Sequence, residues 1–308
     1  MCFNLDANRF YGDSTISEIV ERNIVAFLNH GFLEIGAYIN VPSGKRNPQG
    51  QDMSALYPIA STGITSNTVW RGVKNNWVWE ATGVTLKYSS GTLPIVPSGI
   101  YYNGNFVPTG TSITGTGYIL DFSRGQVVFA NPVPSTNSVQ VPHSDRVVSV
   151  YSSDSNEYRE SILNWQNTSA TGINPGFKAY YPAIFVNIAQ EETIRGTELG
   201  SRGKLMRSEI EFEIFALSSA ELKKLTDILF MLETKFIQFF DPQNSPKPLN
   251  HRGELVRRDL SYGYWINNYY YGGGRFAEDA VTYKQKNQNL PIHRGRVRIG
   301  LEFDVVPI

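Results

Sequence analysis

Between Tyr181 and Asp241 the spacing of apolar positions changes period once, and that change predicts a strand, a loop, a second strand and a helix. Ile184, Val186 and Ile188 alternate with Ala183, Phe185 and Asn187, and Ile210, Phe212 and Ile214 alternate with Glu209, Glu211 and Glu213. Alternation of this kind belongs to strands with one face on a core and one face wet. The wet face of the second strand would then carry three carboxylates, a solvated or interface-facing surface. Gln190 to Lys204, between the two strands, is polar and reads as a long exposed loop. From Ser218 the period lengthens: Ser218 with Glu221 three residues on forms a capping box. Leu222, Leu225, Ile228, Leu229, Leu232, Phe236 and Phe239 then recur at spacings of three and four. This predicts one long helix that covers the sheet and ends at Asp241-Pro242. At the C-terminal end, Val297, Ile299, Leu301, Phe303 and Val305 alternate with Arg298, Gly300, Glu302 and Asp304, and the natural antiparallel neighbour of this strand is the one over 210–217.

Thr15 and Glu18 form another capping box, followed by a stripe of Ile16, Ile19, Val20, Ile24, Phe27 and Leu28 that stops near His30-Gly31. Phe32 to Val41 reads as a strand, and PSGKRNPQGQDMS after it as an exposed loop or flexible arm. From Thr65 to Tyr151, short β-prone pieces alternate with turn residues, and Asn103-Gly104 and Ser123-Arg124-Gly125 are hairpin turns. Ser152 to Gly176 is polar, with a short helix around Glu157 to Trp165. Ser261 to Phe276, SYGYWINNYYYGGGRF, has the composition of an extended hairpin. The expected fold is α+β: a small mixed sheet covered by amphipathic helices, with an inserted all-β module, a sandwich or barrel, and extended arms. Residues 1–62 and 152–308 would form the α+β core, and 63–151 the inserted module.

Composition narrows the function classes. With 28 basic and 28 acidic residues among 308, no global field recruits nucleic acid or anionic lipid. The single cysteine, Cys2, excludes an internal disulfide framework and a multi-cysteine zinc site. No basic-then-apolar leader and no long apolar run is visible, so a soluble product without a membrane span is expected.

Candidate chemistry is sparse. His30, His143, His251 and His293 stand in no metal-binding spacing, so neither metal nor cofactor is expected. Ser201 to Lys204 matches S-x-x-K but lies in a glycine-rich loop without companion motifs. Gly115-Thr-Gly117 and Gly272-Gly273-Gly274 lack the strand-to-helix context of phosphate loops. Asn167-Thr168-Ser169 matches a glycosylation acceptor by chance. Arg195, Arg202, Lys204 and Arg207 crowd the inter-strand loop, with Arg294, Arg296 and Arg298 near the C-terminus. Their acidic neighbours favour ion pairs between subunits over phosphate contacts. The aromatic stretch that includes Tyr269 and Tyr270 reads as a docking arm.

In order, the chain offers an N-terminal amphipathic helix, the strand YPAIFVNI, a polar loop, the strand EIEFEIFAL, the capped helix SSAELKKLTDILFMLE and the closing strand RVRIGLEFDVV. This order resembles the tail terminator and head-to-tail connector proteins of tailed bacteriophages, over residues 12–40, 180–241 and 294–308. The inserted module, with GIYYNGNFVPTG and SRGQVVFA, looks like the β-decorations of other virion proteins. The resemblance implies a non-enzymatic virion structural protein forming a ring at the head–tail neck, assembled in the host cytoplasm. It implies a homo-oligomeric ring, hexamer or dodecamer, between neighbouring neck and tail proteins, with genomic DNA passing through the lumen without sequence-specific binding. The candidate interface residues are then Arg195, Arg202, Lys204, Arg207, Tyr269, Tyr270, Arg296 and Arg298. Two other readings compete. A carbohydrate-binding or adhesin module would use Trp70, Trp77, Trp79 and the tyrosines of 262–271 for stacking, a baseplate structural protein would read much like a neck protein, and a hydrolase would use Glu209 or Glu211 as acid or base.

Overall fold

The computed structural model describes residues 4–5, 16–59, 65–72, 74, 76–81, 83–87, 91–113, 115–166, 180–196, 204–285 and 292–307. The chain begins with β1 (Asn4–Leu5), α1 (Ile16–Glu34), β2 (Tyr38–Val41), β3 (Ala55–Pro58) and β4 (Val69–Arg71). It continues through β5 (Gly99–Tyr102), β6 (Asn105–Pro108), β7 (Ser112–Ile113), β8 (Thr116–Asp121) and β9 (Gln126–Phe129). Next come β10 (Val139–Gln140), β11 (His143–Arg146), β12 (Ser149–Ser152), α2 (Asn156–Gln166), β13 (Ala183–Gly196) and β14 (Lys204–Ala216). It ends with α3 (Ser219–Phe230), β15 (Phe236–Phe240), α4 (Tyr262–Asn268), β16 (Tyr270–Phe276), β17 (Val281–Gln285) and β18 (His293–Pro307). The fold is mixed α+β and forms two compact units. One comprises Met1–Gly31, Val148–Pro246 and Tyr262–Ile308, and the other, Phe32–Val147 and Lys247–Ser261, is all-β apart from the last turn of α1.

The first unit is built on a sheet in the order β12-β13-β14-β18-β16-β15, with β17 and β1 also on β18. The expected neighbours β14 and β18 pair antiparallel along their length, from Lys204↔Val305 to Ala216↔His293. Ile184, Ile214 and Gly295 lie in one row across β13, β14 and β18, and Val186, Phe212 and Val297 in the next, so the apolar alternation becomes one continuous buried face. α3 packs against β14 and β18 on Leu222, Leu225 and Leu229. Ser218 caps it, accepting from the Glu221 amide, while the Glu221 carboxylate accepts from the Leu217 amide.

Several elements differ from their sequence reading. α3 stops at Phe230, and Phe236 and Phe239, expected on its stripe, belong to β15. The chain leaves the helix through Met231 and a left-handed Thr234, and FIQFF then pairs with the glycine-rich β16, against which its aromatic rings lie. A Cβ on Gly273 would stand 2.3 Å from the Phe236 ring, so β16 is bare where the neighbouring ring lies. SYGYWINNYYYGGGRF is helix α4 followed by β16, not a hairpin, because Tyr262, Trp265 and Ile266 bury one side of a short helix. α1 passes through Gly31 and ends at Glu34, and just beyond it Gly36, with positive φ, closes the helix with bonds from Gly36 to Leu33 and Ala37 to Phe32, so the predicted strand shortens to Tyr38–Val41. Most of the predicted Gln190–Lys204 loop is strand, leaving 197–203 outside the described residues. PSGKRNPQGQDMS is exposed but folds on itself: Met53 bonds Lys45 and Asn47 bonds Gln51 through the backbone. β12, read from sequence with the β module, pairs in parallel with β13.

α1 spans the opening between the two outer strands β12 and β15. Asn23, fully buried, holds both backbone groups of Phe240: its Nδ2 donates to the carbonyl at 3.0 Å and its Oδ1 accepts from the amide at 2.8 Å. Asn29 donates to the Val150 carbonyl of β12 at 3.0 Å, and Glu21 accepts from the Ser152 hydroxyl and the Ser153 amide. The apolar stripe of Val20, Ile24 and Leu28 is buried beside these polar residues. A side chain on α1 therefore does at each edge what a neighbouring strand would do.

In the second unit eight strands run β6-β5-β10-β3-β4-β9-β8-β7, and β2 pairs β11. Its core is aromatic and β-branched, with Trp70, Trp77, Tyr118, Phe122, Phe129, Ile100 and Val127 buried together. Asn103 and Gly104, both with positive φ, make the tight turn between β5 and β6, as their sequence predicts. Asp121, at the β8–β9 turn, accepts from the Ser123 hydroxyl, the Arg124 amide and Gln126 Nε2. Gly253 lies over it, bonding its carbonyl to the Phe122 amide; a Cβ there would stand 2.0 Å from Asp121 Oδ1 in a left-handed backbone (φ +77°). Gly253→Ala should lower the free energy of unfolding by about 2 kcal/mol, read as a fall in the denaturant midpoint, since strain and a buried clash act together. A midpoint unchanged from wild type would show that Asp121 yields freely.

Candidate functional site

The face of the sheet opposite α3 carries the three glutamates of β14 and the three arginines of β18. In register, Glu211 stands opposite Arg298, Glu213 opposite Arg296, and Phe215 opposite Arg294. Period-2 alternation on two paired strands makes this a ladder of opposite charges with cross-strand spacing. Arg294 donates to Glu213 from Nε and NH2, and Arg296 Nε donates to the same Glu213 oxygen at 2.9 Å. Arg298 Nε donates to Glu211 Oε2 at 2.6 Å, and Arg298 NH1 lies 3.4 Å from Glu209. Arg294 sits over the Phe215 ring and Arg298 over the Tyr283 ring.

Burial changes along the ladder. The side chains of Glu213 and Arg294 are 4% and 8% exposed, whereas those of Glu209 and Arg298 are 39% and 40% exposed. The predicted wet face is thus covered at one end, where Tyr158 of α2 bonds Glu213 at 2.6 Å and packs on Phe185. The cause lies in β13 and α2: Phe185 and Tyr158 bring apolar surface to the carboxylate face, and the arginines of β18 compensate the charge buried there. The bond and field of Glu213, with the field of Glu211, outweigh burial and raise the Arg296 proton affinity; Glu211 likewise raises that of Arg298.

Burial first, and then the bond to Glu213, push the Tyr158 hydroxyl up to about 12. An unfolded tyrosine ionises near pH 10. Between roughly pH 10 and 12 the unfolded chain therefore releases a proton that the folded chain keeps, so stability falls as pH rises through that window. Tyr118 and Tyr262, raised chiefly by burial, act in the same direction. Tyr158→Phe should lose less stability than wild type between pH 9 and 11.5 in denaturant titrations, and superimposable profiles would refute the assignment.

The candidate interface residues fall in different places. Arg296 and Arg298 belong to the ladder. Arg207 lies flat on Gly300, where a Cβ would meet its Nε at 2.7 Å, and it reaches Asp279 and Glu302. Arg195 and Lys204 stand at the far end of the β13–β14 pair, and Arg202 lies outside the described residues. Tyr270 is exposed at the start of β16, and Tyr269 packs on Tyr264 while its carbonyl accepts from the Asp241 amide. Trp70 and Trp77 are buried core residues, which removes them as stacking surfaces for a glycan.

One juxtaposition escaped sequence reasoning. His143 and Asp145 are two apart on β11, with His143 Nε2 3.3 Å from Asp145 Oδ1, Nδ1 2.7 Å from the Val141 carbonyl, and Trp77 against the ring. An H-x-D spacing on a strand puts both side chains on one face, which was the available signal. Such a pair can orient a base, but at 1% and 2% exposure under Trp77 it does not reach a substrate. Among the described residues no group of three or more His, Cys, Asp or Glu is arranged to hold a metal ion, and no helix is long and apolar enough to cross a membrane. No protein-family model matches the chain, and a search of curated proteins finds no significant match.

Proposed function

We propose that this chain is a structural protein of a tailed-phage virion, a ring-forming subunit at the head–tail neck of the terminator or connector kind. The reading is supported by one observation above others: α1 as far as Gly31, the β13–β14 pair, the Ser218-capped α3 and β18, elements on which the resemblance rests, are parts of one sheet-based unit. The charge ladder is consistent with a scaffold, since the best-aligned carboxylates and guanidinium groups neutralise one another. Function would then reside in surface geometry, with buried interface area carrying assembly. The partners are copies of itself and adjoining neck and tail proteins, in a virion assembled in the host cytoplasm, with DNA passing through the ring without sequence readout.

Light scattering of the purified full-length protein across a concentration series, with negative-stain imaging of the same samples, tests this. Closed rings or a concentration-driven oligomer of defined mass are expected. A monomer at every concentration counts against it.

A further inference from the structure

The sheet of the first unit has outer edges at β12, β15 and β17, and the first two are closed by side chains. Asn29 takes the Val150 carbonyl of β12, Asn23 takes both backbone groups of Phe240, and the Tyr262 hydroxyl donates to the Gln238 carbonyl of β15 at 2.6 Å. β17 has no such cover among the described residues. It pairs with β18 alone, and Val281 and Tyr283 are 48% and 50% exposed. Among the described residues β13 is unpaired along part of its outer side as well, because β12 reaches only from Ala183 to Val186. Natural sheets blunt exposed edges, and β13 carries register shifts at Ile188/Gln190 and Thr193/Arg195 that do so in part. The ladder of β17 against β18 runs without a register shift.

We propose that the outer edge of β17 pairs with the open stretch of β13, Ile188–Gly196, in a second copy of the chain, so that the sheet continues across the subunit boundary. The inference rests on the ring-forming reading and names its contact. Strand direction supports it: β13, β14, β18 and β17 alternate antiparallel. A copy related by rotation about an axis inclined to the strands by less than a right angle presents its β13 antiparallel to β17, extending the same ladder. Height supports it too. Register carries Val281 through Arg298 and Glu211 to Asn187, and Gln285 through Arg294 and Phe215 to Ala183, so β17 is level with the start of β13. The open stretch begins immediately beyond that level, and the strands therefore tilt against the ring axis, as closure of a sheet requires. The charge read from sequence is of opposite sign on the two strands: β17 holds Lys284 and no acid, while the open stretch of β13 holds Glu191 and Glu192 against the single Arg195.

The test uses the full-length chain with Cys2→Ser, carrying Val281→Cys with either Glu191→Cys or Glu192→Cys; one of the latter two shares the face of Val281. Under mild oxidation, one double-cysteine variant should give a ladder of disulfide-linked oligomers on non-reducing gels, and each single-cysteine variant only monomer. Val281→Lys with Tyr283→Lys, both at exposed positions, should raise the dissociation constant of the oligomer about tenfold or more. Rings that form without cross-links and tolerate the lysines would overturn the β17–β13 contact and leave the ring reading standing. Cross-linking of Val281→Cys alone would replace it with a symmetric β17–β17 dimer. A monomer without cross-links at every concentration would remove both.

Discussion

Asn23→Leu is expected to lower stability by about 2–5 kcal/mol. Leucine matches the shape but leaves the Phe240 amide and carbonyl buried without partners, and each such group costs roughly 1–3 kcal/mol. The loss should appear as a fall in the denaturant midpoint with little change of slope, since no large surface is newly exposed in the native state. Asn29→Leu removes the partly buried bond to one backbone group, the Val150 carbonyl, and should cost about 1 kcal/mol. Equal losses at the two positions would show that Asn23 matters only as a filler of helix surface.

Glu213→Ala is expected to cost about 3–5 kcal/mol, because it removes the carboxylate that the buried Arg294 guanidinium holds from two nitrogens. Glu213 also holds Tyr158 and Arg296, so the whole covered end of the ladder loses its acceptor. Glu213→Leu combined with Arg294→Met should recover most of the loss, since Arg296 is partly exposed and already lies 3.5 Å from Glu211. A double variant as unstable as the single one would place the cost in packing around Phe185 and Phe215 rather than in charge. A double-mutant cycle measures the coupling directly.

The strands and the capping of the sheet-covering helix were legible because local pattern and tertiary use agree there. Ile210, Phe212 and Ile214 face the core as alternation requires, and Ser218 caps α3. Where sequence reasoning erred, a local pattern had two uses. Leu232, Phe236 and Phe239 fit a helical stripe, yet FIQFF is equally a strand once a glycine-rich partner lies beside it. Glycine at 31 read as a stop, but tertiary burial of Phe32 and Leu33 carries the helix through it to Glu34. The candidate site was half legible. The alternation of Glu209, Glu211 and Glu213 places them on one face, but their burial depends on β13, β18 and α2, which no local window contains. The Asn23 contact was invisible, since an asparagine inside an amphipathic stripe carries no sign of a partner 217 residues away.

That separation bears on how the protein is made. α1 emerges from the ribosome early, and its bonding partners in β12 and β15 follow much later, with Phe240 among the last. Contacts of such long range form slowly, because the loop between them must be closed before any is rewarded. Until then the apolar stripe of Val20, Ile24 and Leu28 has no sheet to cover, and it waits unburied while the chain between it and Phe240 is made. Docking of the first helix is thus a late event in folding, and the yield of native protein should be most sensitive to conditions that hold that helix soluble while the remaining strands are translated.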